Sequence, residues 1–82
     1  MNGYTYVYIL QSLADSCRHY TSLTDDLHAR LKKHNAGEVI HTAKYKPWQL
    51  MTAIAFHDRR KAAAFEQYLK SHPGRAFAAK HF

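Results

Sequence analysis

The sequence predicts a mixed α/β domain of the α+β kind, and three stretches carry that expectation. Residues 4–10 (Tyr-Thr-Tyr-Val-Tyr-Ile-Leu) are aromatic or β-branched with period-two alternation, which suits a strand. Residues 20–35 begin as a strand and then place Leu27, Arg30, Leu31 and His34 at i, i+3, i+4 and i+7, one face of a helix. Residues 59–71 repeat a helical stripe with Ala62, Phe65 and Leu69, after a capping aspartate at Asp58. At 82 residues the chain is expected to form a single domain, 1–82, that buries only about 60–65% of its unfolded surface.

In the first strand Tyr4, Tyr6, Tyr8 and Leu10 share one face, and Thr5, Val7 and Ile9 the other. Residues 11–18 are polar and turn-like, and 19–23 read as a second strand. A hairpin centred near Ala14 would set Tyr8 opposite Tyr20, two phenols side by side. As a bare cross-strand pair, that arrangement needs no function beyond holding the sheet.

Thr24 reads as the N-cap of the first helix, with Asp25 and Asp26 in its first turn where carboxylates favour the dipole. Asn35-Ala36-Gly37 supplies the stop. Leu27 and Leu31 must bury their stripe, and they carry Arg30 and His34 inward with them. A cation and an imidazole are costly to desolvate, so this helix does more than pack. Residues 38–48 read as a loop whose Lys44 and Lys46 alternate with Tyr45 and Trp48, a pattern suited to phosphate contact and base stacking. Residues 50–56 are apolar enough for a buried third strand, although periodicity alone also admits a helix. Pro73-Gly74 ends the second long helix, and 75–82 form a short terminal one. Glu66, one of two glutamates, falls on the packing side of its helix.

Composition narrows the function classes. Cys17 is the only cysteine, which excludes an intramolecular disulfide and a cysteine-rich metal cluster. No apolar run approaches the roughly 18 residues of a membrane span, and residues 1–5 lack the basic start of a secretion signal. A cytoplasmic protein without a membrane partner is expected. The net charge of +6 is uneven: residues 1–27 carry −2 and residues 28–82 carry +8. A basic surface of this density fits a polyanion, most simply nucleic acid, although solubility alone also accounts for it. Zinc is disfavoured despite seven histidines, because no His-Glu-x-x-His occurs and His28 and His34 lie off one another's face.

Tyr6-Val7-Tyr8, Tyr20-Thr21-Ser22, and then Thr24, Leu27, Arg30, Leu31, His34 and Asn35 form an ordered set. Together with the loop from Lys44 to Trp48 and the alanine-rich helix bearing Glu66 and Lys70, it resembles the GIY-YIG nuclease domain, in particular its small single-domain bacterial members. The resemblance covers essentially the whole chain. It implies a three-stranded antiparallel sheet flanked by helices, and an endonuclease that cuts phosphodiester bonds, in DNA first of all, with one divalent ion. Two positions depart from the pattern. Tyr6 and Ser22 stand where the two tripeptides have glycine, and if position 22 needs positive φ a Cβ there costs about 1 kcal/mol or more.

The residue types fit that chemistry. Glu66 alone suffices to hold Mg²⁺ or Mn²⁺, since Mg²⁺ keeps most of its waters. Arg30 offers a fork of donors to the phosphate as charge builds. Tyr8 or Tyr20 is the general base, and the residues leave both open. A nearby metal and Arg30 would favour the phenolate. His34 holds a phenol or relays its proton, and Lys44, Lys46 and Lys70 contact nucleic acid. No small-molecule cofactor is expected. The competing readings are a nucleic-acid-binding module of the same fold without turnover, and a basic interaction protein.

Overall fold

The computed structural model describes residues 3–82; Met1 and Asn2, where the expectation about a secretion signal begins, lie outside the described residues. Strand β1 (Thr5–Ser12) turns into β2 (His19–Thr24), followed by α1 (Leu27–Asn35), a four-residue α2 (Ile40–Ala43), β3 (Trp48–Phe56), α3 (Arg59–Lys70) and α4 (His72–His81). The sheet is antiparallel with order β2-β1-β3, so the aromatic first strand is the central one. Its residues Val7, Tyr8, Ile9 and Leu10 are all buried, as a strand covered on both faces requires.

The pleat sends alternate residues to two different helices. Val7 and Ile9 join Ala62 and Leu69 of α3 in one apolar cluster, with Leu23, Phe65 and Phe77 around it. Tyr8, Leu10 and Trp48 form the other cluster, against Leu27 and Leu31 of α1. The sheet therefore separates α1 from α3.

The hairpin register differs from the expected one. Tyr8 pairs with Ser22, and Tyr20 with Leu10. Ser12 accounts for the shift: its hydroxyl accepts from the amides of Ala14 and Asp15, and its own amide donates to the Arg18 carbonyl. This Ser/Thr-type turn lengthens β1 and moves the centre to Asp15, a two-residue change that keeps every side chain on its expected face. Helix α1 is capped by Asp26, whose carboxylate accepts from the Ala29 amide at 3.0 Å, and not by Thr24. Thr24 is the buried last residue of β2, where its hydroxyl accepts from the Asp26 amide.

Strand β3 begins two residues earlier than expected and is not buried along its length: Gln49, Leu50, Met51, Ala53 and Ala55 are exposed. It is an edge strand, and the nine-residue α1 is too short to cover it. A bulge between Ile9 and Leu10 skips Met51 in the pairing. The expected stop at Pro73-Gly74 is instead the first turn of α4. Ser71 closes α3 and caps α4, donating to the Tyr68 carbonyl and accepting from the Gly74 amide. Any Cβ at Gly74 would lie 1.7 Å from the Tyr68 carbonyl oxygen, so the tight corner between the two helices requires glycine there. Among the described residues no helix is long and apolar enough to cross a membrane.

Candidate active site

The helical stripe that carries Arg30 and His34 inward lies over the tyrosine face of the sheet. His34 is fully buried, and its Nε2 lies 3.0 Å from the Tyr8 hydroxyl. Its Nδ1 lies 2.7 Å from the hydroxyl of Thr42, also fully buried, on α2. The Tyr20 ring meets the His34 ring edge-on, with centroids 5.1 Å apart. The Arg30 guanidinium lies close enough to act on Tyr8 as a charge, and Ser22 stands opposite Tyr8 in the β1–β2 pairing. Four of the five residues expected to do chemistry therefore meet on one face: Tyr8, Tyr20, Arg30 and His34.

Burial dominates the electrostatics of this cluster. It pushes the Tyr8 phenol above its ordinary value, and the nearby Arg30 guanidinium only partly offsets that. The expected lowering toward phenolate is thus not the state of the chain by itself. Burial and the Arg30 charge together lower His34 below the usual imidazole range. At rest the pair is a neutral phenol against a neutral imidazole.

Among the described residues only Gly3 and Gly37 have φ in the left-handed region, so Ser22 sits in ordinary strand backbone without strain. It stands directly opposite Tyr8 in the β1–β2 pairing, a placement the sequence does not give. Thr42 was also missed, because it lies in a stretch read as loop. The available signal was general: a buried imidazole needs partners on both nitrogens.

A match to a family model, described as the GIY-YIG catalytic domain, spans residues 4–78. The chain belongs to the GIY-YIG family. That family consists of endonucleases that act on nucleic acid and generally use divalent metal ions. A UPF0213 protein of Haloquadratum walsbyi is 38% identical over 73 residues, 88% of this chain and 80% of that one. The UPF0213 protein YazA of Bacillus subtilis is 38% identical over 52 residues, 62% of this chain and 52% of YazA. No solved structure matches the chain closely enough to count as a relative.

Within this GIY-YIG domain Glu66 comes from the other side of the sheet. It is 7% exposed on α3, and its carboxylate receives Lys70 Nζ at 2.6 Å and the Gln67 amide at 3.2 Å. The basic partner a structural role would need is thus Lys70, one helical turn along, and not Arg30. Among the described residues no group of three or more His, Cys, Asp or Glu side chains gathers to hold a metal. Tyr20 and Thr21 of β2 line a cavity of about 750 Å³ together with Lys70 of α3 and Arg75 of α4, while Tyr8, Arg30, His34 and Glu66 lie outside its lining. Tyr20 thus belongs both to the buried cluster and to the cavity that reaches Lys70. Arg75 had no sequence signal beyond its charge. Lys44 and Lys46 are exposed in the loop after α2, with Lys44 Nζ 5.7 Å from the Tyr45 ring centroid.

Proposed function

We propose that the chain is a metal-dependent endonuclease that hydrolyses phosphodiester bonds in DNA, acting as one catalytic domain. The observation that carries this reading is the buried contact of Tyr8 with His34, with the Arg30 charge acting on both. A helix built only to pack has no use for a guanidinium, an imidazole and a phenol in one desolvated cluster, and the family supplies the reaction class.

Glu66 is the residue that would hold the ion. Its carboxylate already receives one cationic group, and a single hard oxygen donor suits Mg²⁺ or Mn²⁺, which retain water and take phosphate oxygens as ligands. Bound there, the ion would supply Lewis-acid stabilisation to the charge that builds on the phosphate. The other roles fall to the chain's own side chains. Arg30 directs its donors at the phosphate. Tyr8 is the general base, because it has His34 behind it to take its proton. The phenol O–H passes its proton to His34 Nε2 and then takes one from water. The water oxygen forms the new bond to phosphorus, the P–O ester bond breaks, and the departing alkoxide takes a proton from solvent water. Tyr8 gives its new proton to the hydroxide left behind and recovers the one held by His34. Tyr20, half-buried at the cavity wall, orients the water. Lys44, Lys46 and Lys70 contact the nucleic acid, whose affinity should then fall steeply with salt.

One observation favours the second reading, a nucleic-acid-binding module without turnover. Lys70 occupies the Glu66 carboxylate. The two readings separate when pure protein is incubated with branched, single-stranded and duplex DNA, with and without Mn²⁺. Cleavage that appears only with the ion supports the nuclease. Binding without cleavage in every case leaves the module.

A further inference from the structure

The hydrogen bonds around His34 form a chain with a direction. Its fixed point is Thr42, whose Oγ1 donates to the Val39 carbonyl at 3.3 Å, and a carbonyl can only accept. The same oxygen lies 2.7 Å from His34 Nδ1, and His34 Nε2 lies 3.0 Å from the Tyr8 hydroxyl. A threonine hydroxyl has one hydrogen, and with it given to Val39 the oxygen accepts from His34 Nδ1–H. A neutral imidazole carries one N–H, so Nε2 is bare and accepts from the Tyr8 hydroxyl. The order thus runs from Tyr8 through His34 and Thr42 to Val39.

We propose that Thr42 is a positioning residue that fixes His34 as the Nδ1–H tautomer and so leaves Nε2 bare to take the proton of Tyr8. The hydroxyl oxygen of Thr42 accepts equally from neutral His34 and from the imidazolium formed once the phenol has given up its proton. The proton crosses one contact only, from Tyr8 oxygen to Nε2, and no group rotates. With the opposite tautomer Nε2–H would point at Tyr8, and the phenol would have no acceptor. The indole of Trp48 donates to the Thr42 carbonyl at 2.9 Å, which holds the residue in place through its backbone and leaves the hydroxyl for His34.

The catalytic consequence rests on the nuclease reading, and the tautomer does not, so the test reads each separately. In ¹⁵N-labelled, metal-free protein, long-range correlations of the imidazole nitrogens should show His34 protonated at Nδ1 and bare at Nε2. Thr42→Val should bring in the Nε2–H form and slow cleavage by about tenfold to a hundredfold with nucleic-acid binding unchanged, as expected for a lost acid–base function. Thr42→Ser should restore both. A wild-type His34 protonated at Nε2 overturns the proposal without any variant, as does a folded Thr42→Val protein with unchanged tautomer and rate. Should Thr42→Val fail to fold, the wild-type tautomer and the Thr42→Ser rate still decide. The predicted tautomer in a protein that cuts no DNA upholds the assignment to Thr42 and removes the nuclease reading alone.

Discussion

On the α1 side of the sheet, Tyr8, His34 and Thr42 satisfy one another from three separate segments of chain, all three fully buried. On the α3 side, Glu66 is satisfied within its own helix by Lys70, whose side chain is 47% exposed. The first arrangement exists only when the tertiary structure is complete, and no single rotamer change undoes it. The second opens when one flexible ammonium swings into solvent. The proposed function uses both kinds: a rigid half for the proton and an adjustable half for the ion and the phosphate.

The largest expected effect is beside the rigid half. Arg30→Ala should lower cleavage by about 10²–10³-fold or more while the fold persists, because on the proposed function the guanidinium serves the phosphate, and it stands only half-buried. Thermal melting beside the cleavage assay checks it; an unfolded variant that Arg30→Lys restores would make Arg30 structural. Next comes the adjustable half. Glu66→Gln should cost cleavage roughly a hundredfold or more, the scale of lost metal assistance, yet leave nucleic-acid affinity intact. Mn²⁺ bound beside the carboxylate in an oligonucleotide complex, and absent from the variant, is the expected diffraction result. An ion that avoids Glu66 in that complex would sink the assignment.

Charge reversal at Lys44 and Lys46 should weaken DNA binding and flatten its log–log salt slope by about 1.8 if both touch phosphates of B-DNA. An unchanged slope would remove this loop from the interface. Ser22→Gly should restore the family's glycine opposite Tyr8 and raise cleavage several-fold, at a cost of about 0.5–1 kcal/mol for glycine in a strand. A slower variant would instead make the Ser22 hydroxyl a working donor to the phenolate.

The smallest effect is on stability against pH. His34 is held below its ordinary range, so the unfolded chain binds its proton more readily and stability falls as the pH drops below about 6.5. Tyr8 is held above its ordinary range, so stability falls again as the pH rises beyond about 10. Denaturation midpoints across pH should therefore peak between these limits. His34→Gln should flatten the acid side.

These effects fall on residues that differed in how well the sequence exposed them. Period-two alternation placed Tyr8 and Leu10 on one face and Val7 and Ile9 on the other, and helical spacing put Arg30 and His34 on a buried stripe. Both are local regularities, and both hold in the fold. The register of Tyr8 was not local: it depends on a turn that Ser12 organises with its side chain, and counting from Ala14 cannot detect that. The cap passed from Thr24 to Asp26 because the strand continues through Thr24, a decision made by pairing with Tyr6. β3 read as buried because alanine and leucine suit an interior, yet its exposure follows from its place at the sheet edge. Thr42 was illegible for the deepest reason: its role exists only in relation to a histidine brought to it by the fold.

The side chain of Asn35 accepts from the Trp48 amide and donates to the Trp48 carbonyl at 3.1 Å, which ties the end of α1 to the start of β3. The dozen residues between them leave and return at nearly the same point, so they form a closed excursion and not a tether. Such an excursion can gain or lose residues at its tip with little strain on what it joins, since closure entropy grows only slowly with length. Modularity follows from that geometry. The exposed side chains of Glu38, Lys44 and Lys46 can be exchanged there, while Thr42, Trp48 and the Tyr45 backbone must stay as fixed staves. On the proposed function, new specificity can be written into this loop without reassembling the site it overlooks.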